Sequence, residues 1–233
     1  MEEMSQPQAS RALMRIQALL GVGVYLAIAL PYLRRTNGFG HLERGRHYLF
    51  VCNHVSLLDT LLFGGLAWRQ GRLPILVLGD RKVWHASWVR RALSSRLGFL
   101  LERGKLNPGR IRELQQFARA SRDFNLLVFP EGTRGDGVNV GECQPGIYYI
   151  AQEAQVPIIP VFIENMQFVS TKTGRFRPFG GLRKVEVHYG EPIEPATYLP
   201  IPRREFTEFV RQQISALRPT PQAEHSSPAL HRG

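Results

Sequence analysis

The chain has 233 residues, 43% of them apolar, which excludes a disordered polypeptide and allows one domain with appendages around a substantial core. Its formal net charge of +11, from 30 Lys+Arg against 19 Asp+Glu, points to anionic partners: nucleic acid, an anionic membrane surface or phosphorylated substrates. Two cysteines, Cys52 and Cys143, stand in no metal-ligand spacing, so a disulfide scaffold is disfavoured and a reducing compartment is the default.

Residues 1–15 read as a polar N-terminal tail and residues 16–35 as a membrane-anchoring segment. From Ile16 to Leu33 the only strongly polar side chain is Gln17. As a helix that run spans roughly 27 Å, close to the ~30 Å hydrocarbon core of a bilayer. Gly21, Gly23 and Pro31 are places where it can break into an interfacial hairpin. A buried core helix is the alternative, against which stands the lack of polar positions at helical spacing. Should the segment span, Arg34, Arg35, Arg44 and Arg46 outnumber Arg11 and Arg15, which puts the C-terminal domain on the cytoplasmic face of the membrane.

Residues 36–217 alternate strands and helices. Tyr48–Cys52 reads as a buried strand and Leu57–Trp68 as a helix. Pro74–Leu78 is a second strand. Trp84, His85, Trp88, Arg90 and Arg91 then mix aromatic and basic residues, as at a membrane interface or a single-stranded nucleic-acid site. A short strand from Gly98 precedes a helix over Pro108–Arg122, with Ile111, Leu114, Phe117 and Ala118 on one face. Asn125–Phe129 is a strand that runs into a glycine-rich loop, residues 130–137. Pro145–Gln155 is a helix. Val156–Ile163 is a strand whose prolines favour an edge or a strand end. Lys184–Tyr189 is a strand, and Arg203–Leu217 an amphipathic helix. Residues 218–233 form a Pro/Ser-rich tail with a disordered composition. The pattern predicts a single α/β domain with a mostly parallel or mixed central sheet flanked by helices.

His54 falls where a strand ends and a helix is about to start, and Asp59 lies in that helix's first turn. The carboxylate can fold back on the imidazole, fix its tautomer and leave the other ring nitrogen to take a proton. Ser56-x-x-Asp59 is also a capping-box-like helix start, so the same residues have a purely structural reading.

Four segments together are more specific: Asn53-His54-x4-Asp59, Leu100-Leu101-Glu102-Arg103, Pro130-Glu131-Gly132-Thr133-Arg134 and Val156-Pro157-Ile158-Ile159-Pro160-Val161. In order and separation, over about residues 36–200, the chain resembles the glycerolipid acyltransferase family, its bacterial 1-acylglycerol-3-phosphate acyltransferases in particular. The second motif departs from the family's usual Phe-Ile-Asp-Arg and keeps only Arg103. Gln144 stands where the family often has a lysine.

The resemblance implies transfer of a fatty acyl group from acyl-CoA or acyl carrier protein to the sn-2 hydroxyl of lysophosphatidic acid. The partners would be those substrates and anionic membrane lipids, with no nucleic acid, no cofactor beyond the acyl donor and no metal. His54 would act as base, oriented by Asp59. Without a Gly-x-Ser-x-Gly elbow or a Cys/His arrangement, direct transfer is expected. Backbone N–H groups around Gly132 and Thr133 are candidates to hold the oxyanion. Arg103 and Arg134 suit an acceptor phosphate. Glu131 either holds an arginine or binds a glycerol hydroxyl, and the resemblance favours acceptor binding. Pro160 either shapes the site near the thioester or ends a strand. The rivals are another acceptor, such as a lyso-ornithine lipid, and a non-enzymatic basic protein that binds membrane or nucleic acid.

Overall fold

The computed structural model describes residues 11–85, 98–101, 106–173 and 175–219. The expectations for Trp88, Arg90, Arg91, Glu102, Arg103 and the tail beyond 219 lie outside the described residues.

Among the described residues seven strands make one sheet: β1 (Leu33–Asn37), β2 (Leu49–Cys52), β3 (Ile75–Asp80), β4 (Gly98–Leu101), β5 (Asn125–Val128), β6 (Ile158–Glu164) and β7 (Val185–Tyr189). Their order is β1-β7-β6-β2-β5-β3-β4. All neighbours are parallel except β6 and β7. The mixed α/β sheet is as expected, and it follows from strands that read as near-continuous apolar runs, since both faces are covered. Leu49 and Val51 enter one core with helices α4 (Pro108–Arg119), α5 (Gly146–Ala154) and α7 (Arg203–Ser215). Phe50 and Cys52, alternating with them, enter the other core with α1 (Arg11–Tyr32) and α2 (Leu57–Arg69). Two further short helices among the described residues are α3 (Arg81–His85) and α6 (Pro195–Tyr198).

The edge position expected for the proline-bearing strand is not what forms. β6 is interior, between β7 and β2. The Pro160 carbonyl accepts from Gly190 N at 2.9 Å, so the nitrogen without a hydrogen faces the same way, just past the last β6–β7 pair, Val161–Tyr189. The ladder to β2 loses no donor, and the proline is tolerated.

α1 is a single helix, not a hairpin. It widens to a π turn over Tyr25–Ala29, immediately before Pro31, which has no N–H to donate. Gly21 sits against Trp68 so closely that a Cβ there would lie 2.5 Å from the Trp68 Cβ. Across the same crossing a Cβ on Gly65 would lie 3.0 Å from Tyr25 Cα. The small residues allow two helices to approach, which is why they do not act as breaks. Gln17 is buried and bonds both backbone groups of Ile75, through Nε2 to the carbonyl (3.1 Å) and Oε1 from the amide (3.0 Å). The lone polar residue of the apolar run is therefore its clasp to β3. The opposite side carries an exposed apolar stripe, with Leu19, Leu26 and Leu30 at 76%, 57% and 48% exposure. By length and composition α1 is also able to cross a membrane, yet it lies along the domain.

Candidate active site

β2 ends at Cys52, and three features fix the path of the chain beyond it. The buried Asn53 side chain clamps Ile163 of β6, donating to its carbonyl (3.0 Å) and accepting from its amide (2.7 Å). The His54 N–H donates to Glu131 Oε1 at 2.8 Å, and the His54 carbonyl accepts from Gly135 N at 2.6 Å. Ser56 then caps α2, its hydroxyl accepting from Leu58 N at 2.9 Å. The imidazole is thus held at a strand end by the backbone on both sides.

His54 Nδ1 lies 2.8 Å from Asp59 Oδ2, and Asp59 is fully buried. The same oxygen accepts from Val55 N (2.6 Å) and Ser56 N (2.8 Å). The capping box and the His–Asp pair are one carboxylate doing both, so the two readings of the sequence are compatible. An ionised carboxylate only accepts, which places the proton on Nδ1 and leaves Nε2 with a free lone pair. The imidazole face stacks on Phe129 at 4.3 Å between ring centroids, with 25° between planes.

A cavity of about 200 Å³ opens at His54, lined also by Leu57, Thr60, Leu78, Phe129, Gly132 and Arg134. A second, of about 500 Å³, shares Leu78, Leu101, Phe129 and Gly132 with it. This one is largely apolar, walled by Leu106, Leu114, Ile147 and Ile150, with Arg110 and Thr133 on its lining. An oxyanion or a phosphate placed at His54 would meet Arg134, which has no carboxylate partner among the described residues. Gly132 N–H closes a turn onto the Phe129 carbonyl at 3.1 Å, so it is not available to an oxyanion. Thr133 N–H has no such partner among the described residues.

Glu131 lines the second cavity, and Pro160 lines neither. Glu131 is 5% exposed, and its two oxygens accept from His54 N and Gly141 N (2.9 Å). It pairs with no arginine among the described residues and braces the backbone beneath His54. Burial pushes its carboxyl pKa up, and the two backbone donors pull it partly back. Pro160 lies within β6 opposite Val51. Arg103 is outside the described residues. Sequence reading missed Asn53's clamp, Phe129's stacking face and Arg110, whose spacing to Glu113 (3.0 Å) looks like an ordinary helix-surface pair.

Neither thiol is suited to nucleophilic catalysis. Burial raises Cys52 well above the usual thiol range, helped by the nearby Asp59 charge, and pushes Cys143 up to about 12. A Cys52→Ala, Cys143→Ala double variant is therefore expected to keep acyl-transfer activity within a few-fold of the parent, checked by steady-state rates (~2- to 5-fold tolerance). A well-folded but inactive variant, with an acyl group found on a parent cysteine by mass spectrometry, would overturn direct transfer.

The family model described as Acyltransferase matches residues 35–164, more than half of the chain. The chain belongs to the acyltransferase family. Among curated members of the family, it is 26% identical over 153 residues to a 1-acyl-sn-glycerol-3-phosphate acyltransferase of Cocos nucifera, covering 63% of this chain and 46% of that one. It is 33% identical over 140 residues to the lyso-ornithine lipid O-acyltransferase of Pseudomonas aeruginosa, covering 59% and 50%. The chain spans about half the length of the curated relatives it matches. A crystal structure of the 1-acyl-sn-glycerophosphate (LPA) acyltransferase PlsC from Thermotoga maritima has the same fold, with a TM-score of 0.63 at 20% identity, over 90% of this chain and 83% of that one.

Proposed function

We propose that this acyltransferase moves a fatty acyl group from acyl-CoA or acyl carrier protein to the sn-2 hydroxyl of lysophosphatidic acid, giving phosphatidic acid. The observation that carries the reading is the His54–Asp59 pair at 2.8 Å, opening on the cavity that also holds Arg134. His54 Nε2 takes the proton of the acceptor hydroxyl as its oxygen attacks the thioester carbonyl. The tetrahedral intermediate collapses, the C–S bond breaks, and the imidazolium returns the proton to the leaving thiolate. A positioned base of this kind contributes ~10²–10⁴-fold. Asp59 orients the imidazole and stabilises its charge. The Thr133 N–H, without a backbone partner among the described residues, is the candidate donor to the oxyanion. Arg134 binds the acceptor phosphate, with Arg103 as the second candidate cation. The apolar 500 Å³ cavity beside the base suits a hydrocarbon chain. Lipid substrate and product reside in the bilayer, and the exposed stripe of α1 together with the basic surface holds the enzyme on its cytoplasmic face, where acyl-CoA and acyl carrier protein are found. No metal or further cofactor enters this chemistry, and nucleic acid has no part in it.

The test is acyl transfer by the detergent-purified chain over a panel of acceptors, with lyso-ornithine lipid included because of the Pseudomonas aeruginosa relative. Lysophosphatidic acid is expected to be preferred. Transfer to no lysolipid at all would sink the enzymatic reading.

The same assay reads the phosphate site. Hydrogen bonds to charged groups are worth ~1.5–3 kcal/mol, so Arg134→Ala should cost roughly ten- to a hundred-fold in kcat/KM for lysophosphatidic acid. Most of the loss should appear in the acceptor KM. Lysine should rescue it only in part, because the charge is kept and the fork is lost. If the acyl-donor KM rises instead, Arg134 binds the donor's phosphates.

A further inference from the structure

The connection from β6 to β7 is strongly basic. Over residues 175–184 it carries four basic side chains, Arg175, Arg177, Arg183 and Lys184, and no acidic one. All four are exposed, and none has a carboxylate partner among the described residues. Between them stand Phe176, Phe179 and Leu182, at 50%, 84% and 43% exposure. Aromatic side chains interleaved with cations are costly to leave in water and suit a membrane interface.

The segment is built, not slack. Arg177 N donates to the Val169 carbonyl (2.8 Å), and Lys184 N to the Gly181 carbonyl (3.2 Å). Gly180 and Gly181 lie so close to the preceding strand exit that added Cβ atoms would stand 2.6 Å from the Phe168 carbonyl oxygen and 2.2 Å from Val169 Cγ2. The loop is also fastened to the end of α1: Arg183 N donates to the Pro31 carbonyl (3.0 Å), and Phe176 meets Tyr32 edge-on at 6.1 Å. The loop is thereby placed beside the end of the α1 stripe, where the Arg183 guanidinium also donates to the Leu30 carbonyl at 3.4 Å.

Topology gives this surface a direction. β6 ends at Glu164, which pairs with Glu186 near the start of β7, and Leu33 at the start of β1 pairs with Val185. The loop and the end of α1 therefore lie at the carboxyl edge of the parallel strands. His54 follows β2 at that same edge.

We propose that residues 175–184 are a second membrane-docking element, whose basic–aromatic surface seats on an anionic phospholipid bilayer and turns the His54 edge of the sheet toward the lipid. The inference rests on the membrane-surface reading above and adds the segment that sets the orientation. An anionic bilayer is favoured over nucleic acid by the leucine stripe of α1, which continues the patch and offers no stacking face. The arginines supply the attraction to anionic headgroups, and Phe179 and Leu182 supply the apolar contact.

The test uses the full chain and sedimentation with vesicles of phosphatidylcholine, with and without phosphatidylglycerol, free of lysolipid and acyl donor. Phe179→Ser, Leu182→Ser together should weaken partitioning about tenfold, as lost burial of apolar side chains. Arg175→Gln, Arg177→Gln together should weaken it by about tenfold at low salt, a difference that high salt removes. All four side chains are exposed, so melting temperature and transfer to a detergent-dispersed acceptor should stay at the parent's level. Transfer to an acceptor carried in anionic vesicles should fall with the binding. Variants that sediment as well as the parent overturn the docking role and leave the membrane reading standing. A parent that ignores phosphatidylglycerol vesicles overturns both. Arginine-dependent retention of an oligonucleotide with unchanged vesicle binding assigns the surface to nucleic acid and overturns it too.

Discussion

His54→Ala is expected to lower kcat by at least ~10²-fold while the protein stays folded. The two halves of that expectation come from different atoms. The backbone of His54 is tied to Glu131 and Gly135 through its own N–H and carbonyl, which alanine retains. The side chain contributes a stacking contact to Phe129 and one hydrogen bond to Asp59, and it is 15% exposed. Losing it costs a modest packing term and leaves Asp59 with two backbone donors still in place. The proton acceptor at the cavity, by contrast, is removed outright. KM for both substrates should change little, because neither the apolar cavity nor Arg134 is touched. Steady-state kinetics with both substrates varied, beside a thermal melt, checks both halves. A folded His54→Ala enzyme with near-normal turnover would end the mechanism.

Much of the fold was legible because its strands are covered on both faces and read as unbroken apolar runs. Leu49–Cys52 and Asn125–Val128 are buried at every position, and no alternation was needed to find them. What the pattern hid was position within the sheet. A proline in Ile158–Glu164 signals a missing donor, but not which neighbour that donor would have faced. Here it faces the point where β7 stops, so an interior strand carries it. α1 hid its docking for a related reason: Gln17 reads as an imperfection in an apolar helix, and its two partners are backbone groups of Ile75, far away in sequence and without a side-chain signature.

The site divides the same way. His54 and Asp59 were readable because they are close in sequence, and a helix start brings them together. Glu131 was read as holding an arginine or binding a glycerol hydroxyl, with the resemblance favouring the acceptor. Its partners among the described residues, His54 N and Gly141 N, are amides that every residue but proline possesses. Phe129 looked like the end of a strand, and only the fold stacks it on the imidazole. The third motif thus meets the first through backbone, 77 residues away, and that contact is invisible to any reading of residue types.

Asp59→Asn should lose ~10²–10⁴-fold in kcat and some stability at once, because one oxygen serves both the imidazole and the helix start. Oδ2 accepts from His54 Nδ1, Val55 N and Ser56 N, while Oδ1 is buried with no partner among the described residues. Asparagine can put its carbonyl at the Oδ2 place and still cap α2. It then forces its amide into the buried place of Oδ1, and it replaces charged acceptors worth ~1.5–3 kcal/mol each by neutral ones nearer ~1 kcal/mol. A net loss of ~1–3 kcal/mol corresponds to a melting temperature lower by roughly 3–10 °C. If the amide turns the other way, its N–H₂ meets the imidazole, reverses the tautomer and removes the lone pair at Nε2. Either orientation withdraws the negative charge that stabilises the imidazolium as the acceptor is deprotonated. Because Asp59 acts through His54, the double variant His54→Ala, Asp59→Asn should be about as slow as His54→Ala alone, far from the product of the two losses. The melting-temperature losses should add to less than their sum, because the bond between His54 and Asp59 is counted in both single variants, while the weakened capping bonds to Val55 and Ser56 remain a separate loss. Kinetic losses that multiply would mean that Asp59 serves the reaction independently of the imidazole, and the pairing seen at 2.8 Å would then be structural only.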